Sequence, residues 1–292
     1  MVFDDHAAAR SAPSTDPSAA PSTVTSRFDR DTALTALGEG AYTGRMDPGW
    51  WIEAGPNGGY VAATILRGLT TTVDDTSRTP RSFTVHFLAR PKEGEVRLET
   101  TVERTGRQLT FVGGRLSQDG KLLATTQAAF ARPMSGIEFV DVQPPDIPPP
   151  EQLEAPPRPT SGLAAVAMRQ RYDTRWAIGA APFSGAPHAV AGGWIRLVEP
   201  RPTDHLLLAA LTDAWMPPVF SRSTRRFDVP TIDLTVHFRS PIAPRADDDG
   251  WFLVVFRSQM AADGFVEEDG EVWSRDGRLL AHSRQLAVLL PA

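Results

Sequence analysis

Asp213 is the residue whose type and setting most directly suggest chemistry. It follows the run Leu206-Leu207-Leu208-Ala209-Ala210-Leu211-Thr212 and precedes Ala214-Trp215-Met216. Its carboxylate therefore falls among apolar neighbours in the last turns of the helix this run predicts, where the helix dipole disfavours negative charge. Such a carboxylate either reaches solvent, or accepts N–H bonds from the loop after Pro218, or serves as a base or water-positioning acid in a cleft. Other routes to chemistry are closed. The chain has no cysteine, which removes thiolate nucleophiles, thiolate metal sites and disulfides. No Gly-x-Ser-x-Gly elbow is present. His6, His86, His188, His205, His237 and His282 show no paired ligand spacing, so no metal and no cofactor is expected.

The element that must position Asp213 is legible from its ends. Thr203 or Asp204 can cap a helix start, and Pro217-Pro218 stops it, leaving about three turns between. Residues 206–211 are apolar on every side, so this helix has to be enclosed, most simply by a curved sheet. Tyr60-Val61-Ala62-Ala63-Thr64-Ile65-Leu66-Arg67-Gly68-Leu69 is a second helix of the same character, entered through Gly55-Pro56-Asn57-Gly58-Gly59. Around these lie strands, the clearest being the alternating Phe83, Val85 and Phe87, with further strands over 95–104, 109–117 and 122–131. After 133–161, which is crowded with prolines and reads as a linker, strands are expected over 168–176, 189–198, 231–238, 251–257, 265–274 and 279–290. Residues 1–26 are rich in Ala, Ser, Pro and Thr and read as a disordered tail.

The second half repeats the first. Thr84-Val85-His86-Phe87 returns as Thr235-Val236-His237-Phe238. Ser117-Gln118-Asp119-Gly120-Lys121-Leu122-Leu123-Ala124 returns as Ser274-Arg275-Asp276-Gly277-Arg278-Leu279-Leu280-Ala281. Two matches in one order, each pair preceded by an apolar helix, make the chain a tandem duplication. The expected fold class is α+β: a tandem hot-dog, two long central helices each wrapped by an antiparallel sheet. The expected units are residues 27–132 and 162–292.

A duplication is its own control, because a polar residue present in only one copy is not demanded by the fold. Asp213 has no carboxylate counterpart between Tyr60 and Val73, Thr231 corresponds to Pro80, and Gln285 corresponds to Ala128 with Gln127 next door. Gln285 shares strand parity with Leu279, Ala281, Ser283, Ala287 and Leu289, a small and apolar face suited to looking at the helix. Thr231 shares parity with Asp233, Thr235 and His237, opposite the apolar Ile232, Leu234, Val236 and Phe238, so it is expected just outside the regular strand.

At Leu211-Thr212-Asp213, Thr231-Ile232-Asp233 and the last strand carrying Gln285, the sequence resembles the acyl-CoA thioesterase II family of double hot-dog enzymes. The resemblance implies that Asp213, Thr231 and Gln285 hold the water that hydrolyses a fatty acyl-CoA thioester. Gly58, Gly59 and Tyr60 are the candidate substrate contacts, because amides at a helix start can receive an oxyanion and glycines admit the substrate; a tight turn is the other reading of the glycines. Arg222, Arg225 and Arg226 would meet the CoA phosphates, or else form a solvated loop. The chain departs from the family at Leu234 and His237, which bears on pocket shape and acyl preference. An enoyl-CoA hydratase and a non-catalytic acyl-CoA or lipid binder are the competing functions. A net charge of -5 argues against nucleic acid as partner, and no run is long enough to span a bilayer as a helix. A cytoplasmic homo-oligomer is the remaining expectation.

Overall fold

A computed structural model of the chain describes residues 25–53, 55–156, 166–242 and 249–291. The expected tail, apart from residues 25 and 26, lies outside the described residues, as does the end of the expected linker.

The first half begins with α1 (Arg27–Asp31), whose N-cap Ser26 accepts from Asp29 N, followed by β1 (Leu34–Gly38) and β2 (Ala41–Met46). A short ribbon of β3 (Trp51–Ile52) and β4 (Gly55–Pro56) leads into α2 (Gly58–Val73). Asn57 caps α2 by accepting from Tyr60 N at 3.0 Å. Then come β5 (Thr79–Phe87), β6 (Gly94–Thr105), β7 (Leu109–Gln118) and β8 (Lys121–Ala131). Asp119 and Gly120, both at positive φ, make the tight turn between β7 and β8.

The second half contains β9 (Tyr172–Ile178), β10 (Ala189–Leu197), α3 (His205–Leu211), α4 (Val219–Arg222), β11 (Phe227–Asp228) and β12 (Thr231–Phe238). It ends with β13 (Phe252–Ser258), β14 (Ala261–Ala262), β15 (Phe265–Ser274), β16 (Leu279–Val288) and β17 (Leu290–Pro291). The main sheet runs β1-β2-β6-β7-β8-β5-β12-β16-β15-β13-β10-β9, antiparallel at every pairing, with β14 on β15.

Two expectations are corrected. The halves do not carry separate sheets, because β5 pairs with β12 and joins them into one 13-stranded sheet around both helices. Nor are there two long helices: α2 has 16 residues but α3 only 7. Beyond Thr212 the turn tightens, with Asp213 N donating to Ala210 O and Ala214 N to Leu211 O at 3.3 Å each, so the helix stops short of Pro217. The chain leaves the helix at Thr212, and the Asp213 carbonyl accepts from the Asn57 side chain at 2.7 Å.

Thr84 lies directly across from Thr235 at the β5–β12 junction, their hydroxyls 3.0 Å apart. Equivalent residues of the two copies thus meet at a pseudo-twofold axis. Inside the sheet, α2 packs on α3 in one continuous core that includes Tyr60, Ile65, Leu66, Phe83, Leu208, Leu211, Leu234 and Val236. Burying each such leucine contributes roughly 1.5–3 kcal/mol. The proline-rich segment covers the other face of the second half, where Ile147 and Leu153 pack on Trp194, Trp251 and Trp273, and Trp194 Nε1 donates to Pro148 O at 2.9 Å.

Candidate active site

The Asp213 carboxylate turns inward, away from its own helix and toward the start of α2. Its Oδ2 accepts from Gly59 N at 2.9 Å and from Asn57 Nδ2 at 2.8 Å. A charge that would be unfavourable at the end of α3 is thereby placed at the positive N-terminus of the neighbouring helix. The two glycines make this approach possible. A Cβ on Gly58 would stand 2.9 Å from Asp213 Oδ2, and one on Gly59 would stand 2.5 Å from the Ala210 carbonyl and 3.1 Å from Asp213 Cβ.

Gln285 lies on β16 with its side chain on the helix-facing side of the sheet, 5 % exposed. Its Nε2 donates to Asp213 Oδ1 at 3.4 Å, and its Oε1 accepts from Thr231 Oγ1 at 2.8 Å. Thr231 reaches that face through a β-bulge. The register passes from Thr231 opposite Ala287 to Asp233 opposite Leu286, so Ile232 is the extra residue and the alternation reverses behind it. Thr231 thereby joins the side of Leu234 and Gln285, against the simple parity of the sequence. The same bulge occurs in the first half at Arg81, where Pro80 lies opposite Phe130 and Phe83 opposite Ala128. Since Leu234 lies opposite Gln285, the registers match Gln285 to Ala128 rather than to Gln127.

Asp213, Thr231 and Gln285 therefore converge. Two more polar residues join them that the sequence reading assigned no role. One is Asn57, an ordinary cap by its position before two glycines, whose amide group reaches across to Asp213. The other is Glu268 on β15, directly opposite Gln285, with Oε1 accepting from Gln285 Nε2 at 2.6 Å. Strand parity carries the signal for Glu268, which shares its face of β15 with the buried Val266, Gly270 and Val272.

Electrostatics separate the two acids. Burial raises the Asp213 pKa to about 6, against the amides of Gly59, Gln285, Gly58 and Asn57, which favour its ionised form. Burial raises Glu268 further, to about 8, with the Asp213 charge adding to the shift and the Gln285 hydrogen bond opposing it. At neutral pH the cluster then holds one ionised carboxylate and one neutral acid. The Tyr172 hydroxyl is also raised, by burial and by Asp213.

The remaining candidates divide between the site, the core and the surface. Gly58 and Gly59 are at the site, but their amides serve the Asp213 carboxylate. Tyr60 is fully buried, with its hydroxyl donating to the Asp31 and Arg45 carbonyls, and so lies within the core. Arg222, Arg225 and Arg226 are exposed around the end of α4; Arg226 lies over the Phe183 ring. His86 and His237 are exposed on the outer side of the sheet, and among the described residues no histidine hydrogen-bonds to Asp213.

Comparison with known proteins identifies the family. Residues 47–131 match the family described as the acyl-CoA thioesterase N-terminal domain, and residues 144–289 match its C-terminal domain. Among solved structures, a conserved protein of unknown function with a hot-dog fold from Alicyclobacillus acidocaldarius superimposes with a TM-score of 0.83 at 29% identity, covering 92% of this chain and 100% of that one. An acyl-CoA thioesterase II from Mycobacterium marinum gives a TM-score of 0.73 at 21% identity over 91% and 98% of the two chains, a likeness of fold. An uncharacterized protein of Mycobacterium tuberculosis is 24% identical over 274 residues, 85% of this chain and 90% of that one.

Proposed function

The chain belongs to the acyl-CoA thioesterase family with paired hot-dog domains, and on that premise we propose that it hydrolyses an acyl-CoA thioester by direct attack of water held at Asp213, Thr231 and Gln285. The observation that carries this reading is the convergence of a carboxylate, a hydroxyl and an amide in one copy where the other has no such group. Pro80 and Ala128, the register counterparts of Thr231 and Gln285, are buried and apolar.

The chemistry follows from the hydrogen-bond polarity. Thr231 donates its proton to Gln285, which leaves the Thr231 oxygen free to accept from a water. Asp213 accepts from the same water and, with a pKa near 6, is ionised and able to take its proton at neutral pH. Both protons of the water are then engaged, and its lone pair is free to attack the thioester carbon. The tetrahedral intermediate expels the CoA thiolate, which takes up a proton as the carboxylic acid is released. Negative charge developing on the carbonyl oxygen would be favoured by the positive end of the α2 dipole, whose first amides are already engaged by Asp213 and Asn57. In this reading the exposed arginines after α4 face the CoA phosphates, and residues 27–132 and 162–292 act as two units, the second supplying the reacting groups.

Release of free thiol from a panel of acyl-CoAs is the test. Turnover that disappears in Asp213→Asn supports the reading. Binding without turnover marks a carrier, and addition of water with the thioester intact marks a hydratase; either result overturns it.

A further inference from the structure

Resting on that reading, we propose that Glu268 is a positioning residue of the hydrolytic site. It holds the Gln285 amide in the one orientation that leaves Thr231 able to accept a hydrogen bond from the attacking water. A glutamine amide can be turned end for end with little change in shape, but its two ends do opposite things. With Nε2 toward Glu268 and Asp213, the Oε1 atom meets the Thr231 hydroxyl and takes its proton, as the 2.6, 3.4 and 2.8 Å contacts describe. Turned over, the amide would donate to Thr231, whose own proton would then point at the water and occupy the lone pair needed for attack. Asp213 alone holds the right orientation weakly, at 3.4 Å; the 2.6 Å bond to Glu268 is the stronger restraint.

The duplication supplies an independent reason to assign Glu268 a task. Glu268 lies opposite Gln285 on the adjoining strand, and in the first half Val112 lies opposite Ala128. Val112 is fully buried, so the fold accepts an apolar side chain there. Placing a second acid beside Asp213 works against stability, and only the copy with the polar cluster carries it.

The charges around Glu268 also define a pH signature. Asp213 faces it from the loop after α3 and Asp269 is its chain neighbour, while β16 presents the neutral Gln285. Arg284 and Arg257 are engaged by Asp269 and Glu271 and do not compensate it. Its pKa near 8 keeps Glu268 a neutral acid at pH 7 that accepts through Oε1. Ionisation above that point puts a second negative charge beside the reacting carbonyl and slows hydrolysis.

The experiment compares kcat, KM and pH profiles of thiol release for the wild type, Glu268→Met, Glu268→Gln, Gln285→Ala and Asp213→Asn. The expected results are a kcat lowered roughly tenfold to a hundredfold in Glu268→Met with KM little changed, and near-complete rescue in Glu268→Gln. Glu268→Gln should also lack the alkaline decline of the wild type. A wild-type kcat in Glu268→Met, or an unaltered alkaline limb in Glu268→Gln, overturns the assignment while Gln285→Ala and Asp213→Asn remain inactive. Should Glu268→Met not fold, the pH profile of Glu268→Gln decides. Full activity in Gln285→Ala and Asp213→Asn would instead overturn the reading of the site on which this inference rests.

Discussion

The Asp213 carboxylate accepts a hydrogen bond from the amide of Gly59, 154 residues earlier in the chain, at 2.9 Å. A side chain belonging to one copy of the duplication is thereby oriented by the helix of the other. Both halves thus meet at the candidate site, and the acid, hydroxyl and amide proposed to act there all come from one of them.

Replacing Gly59 by alanine tests this dependence. The added Cβ would meet the Ala210 carbonyl at 2.5 Å, a backbone atom that cannot turn aside, so α2 and α3 must separate. Chemical denaturation should show a loss of about 1–3 kcal/mol. Hydrolysis should fall with it, because Asp213 moves with the end of α3.

Asp213→Asn keeps the shape of the side chain and removes the base. The kcat for thiol release should drop by roughly 10²–10⁴-fold. In the wild type the acidic limb of kcat/KM should have its midpoint near pH 6, since Asp213 must be ionised to act. A limb at the ordinary carboxylate value near pH 4 would argue that the buried acid is not the base.

Thr231→Val leaves the bulge and removes the hydroxyl. Gln285 Oε1 then loses its partner in a buried setting, which costs about 1–3 kcal/mol of stability. Turnover should fall roughly tenfold to a hundredfold, and Thr231→Ser should restore most of both quantities.

Stability should respond to pH through the two acids in a defined direction. Both have folded pKa values above their unfolded ones, Asp213 at about 6 against 3.8 and Glu268 at about 8 against 4.5. Each favours the folded state below its unfolded value, and that contribution is lost as the pH rises through the folded value. Glu268→Gln should therefore denature at higher denaturant than the wild type at pH 9, with the difference closing toward pH 4.

Much of this was readable from the chain. The repeats give the duplicated architecture, and the contrast between copies singles out Asp213, Thr231 and Gln285, which the structure brings within hydrogen-bonding reach of one another. What sequence periodicity could not express were the places where the backbone departs from regularity. Simple alternation put Thr231 on the wrong side of its strand, because one extra residue at Ile232 reverses the parity. Apolar patterning and the stop at Pro217-Pro218 extend α3 to Met216, because neither signals the tighter bonds, Asp213 N to Ala210 O and Ala214 N to Leu211 O, that end it at Leu211. The joining of the halves through β5 and β12 is a long-range pairing with no local signal. Asn57 caps α2 and also holds Asp213, a double role that its place in the chain does not announce. Glu268 sits in the run Glu267-Glu268-Asp269, where acidity reads as a solvated edge unless the parity it shares with Val266 and Gly270 is followed.

The meeting of Thr84 with Thr235 carries a consequence of its own. Two identical polypeptides associating along that edge would have to repeat every substitution twice, gaining or losing reactive groups in pairs. Covalent fusion releases that constraint. One copy can stay greasy around Pro80, Val112 and Ala128 while the other carries the crowded acids of the proposed site.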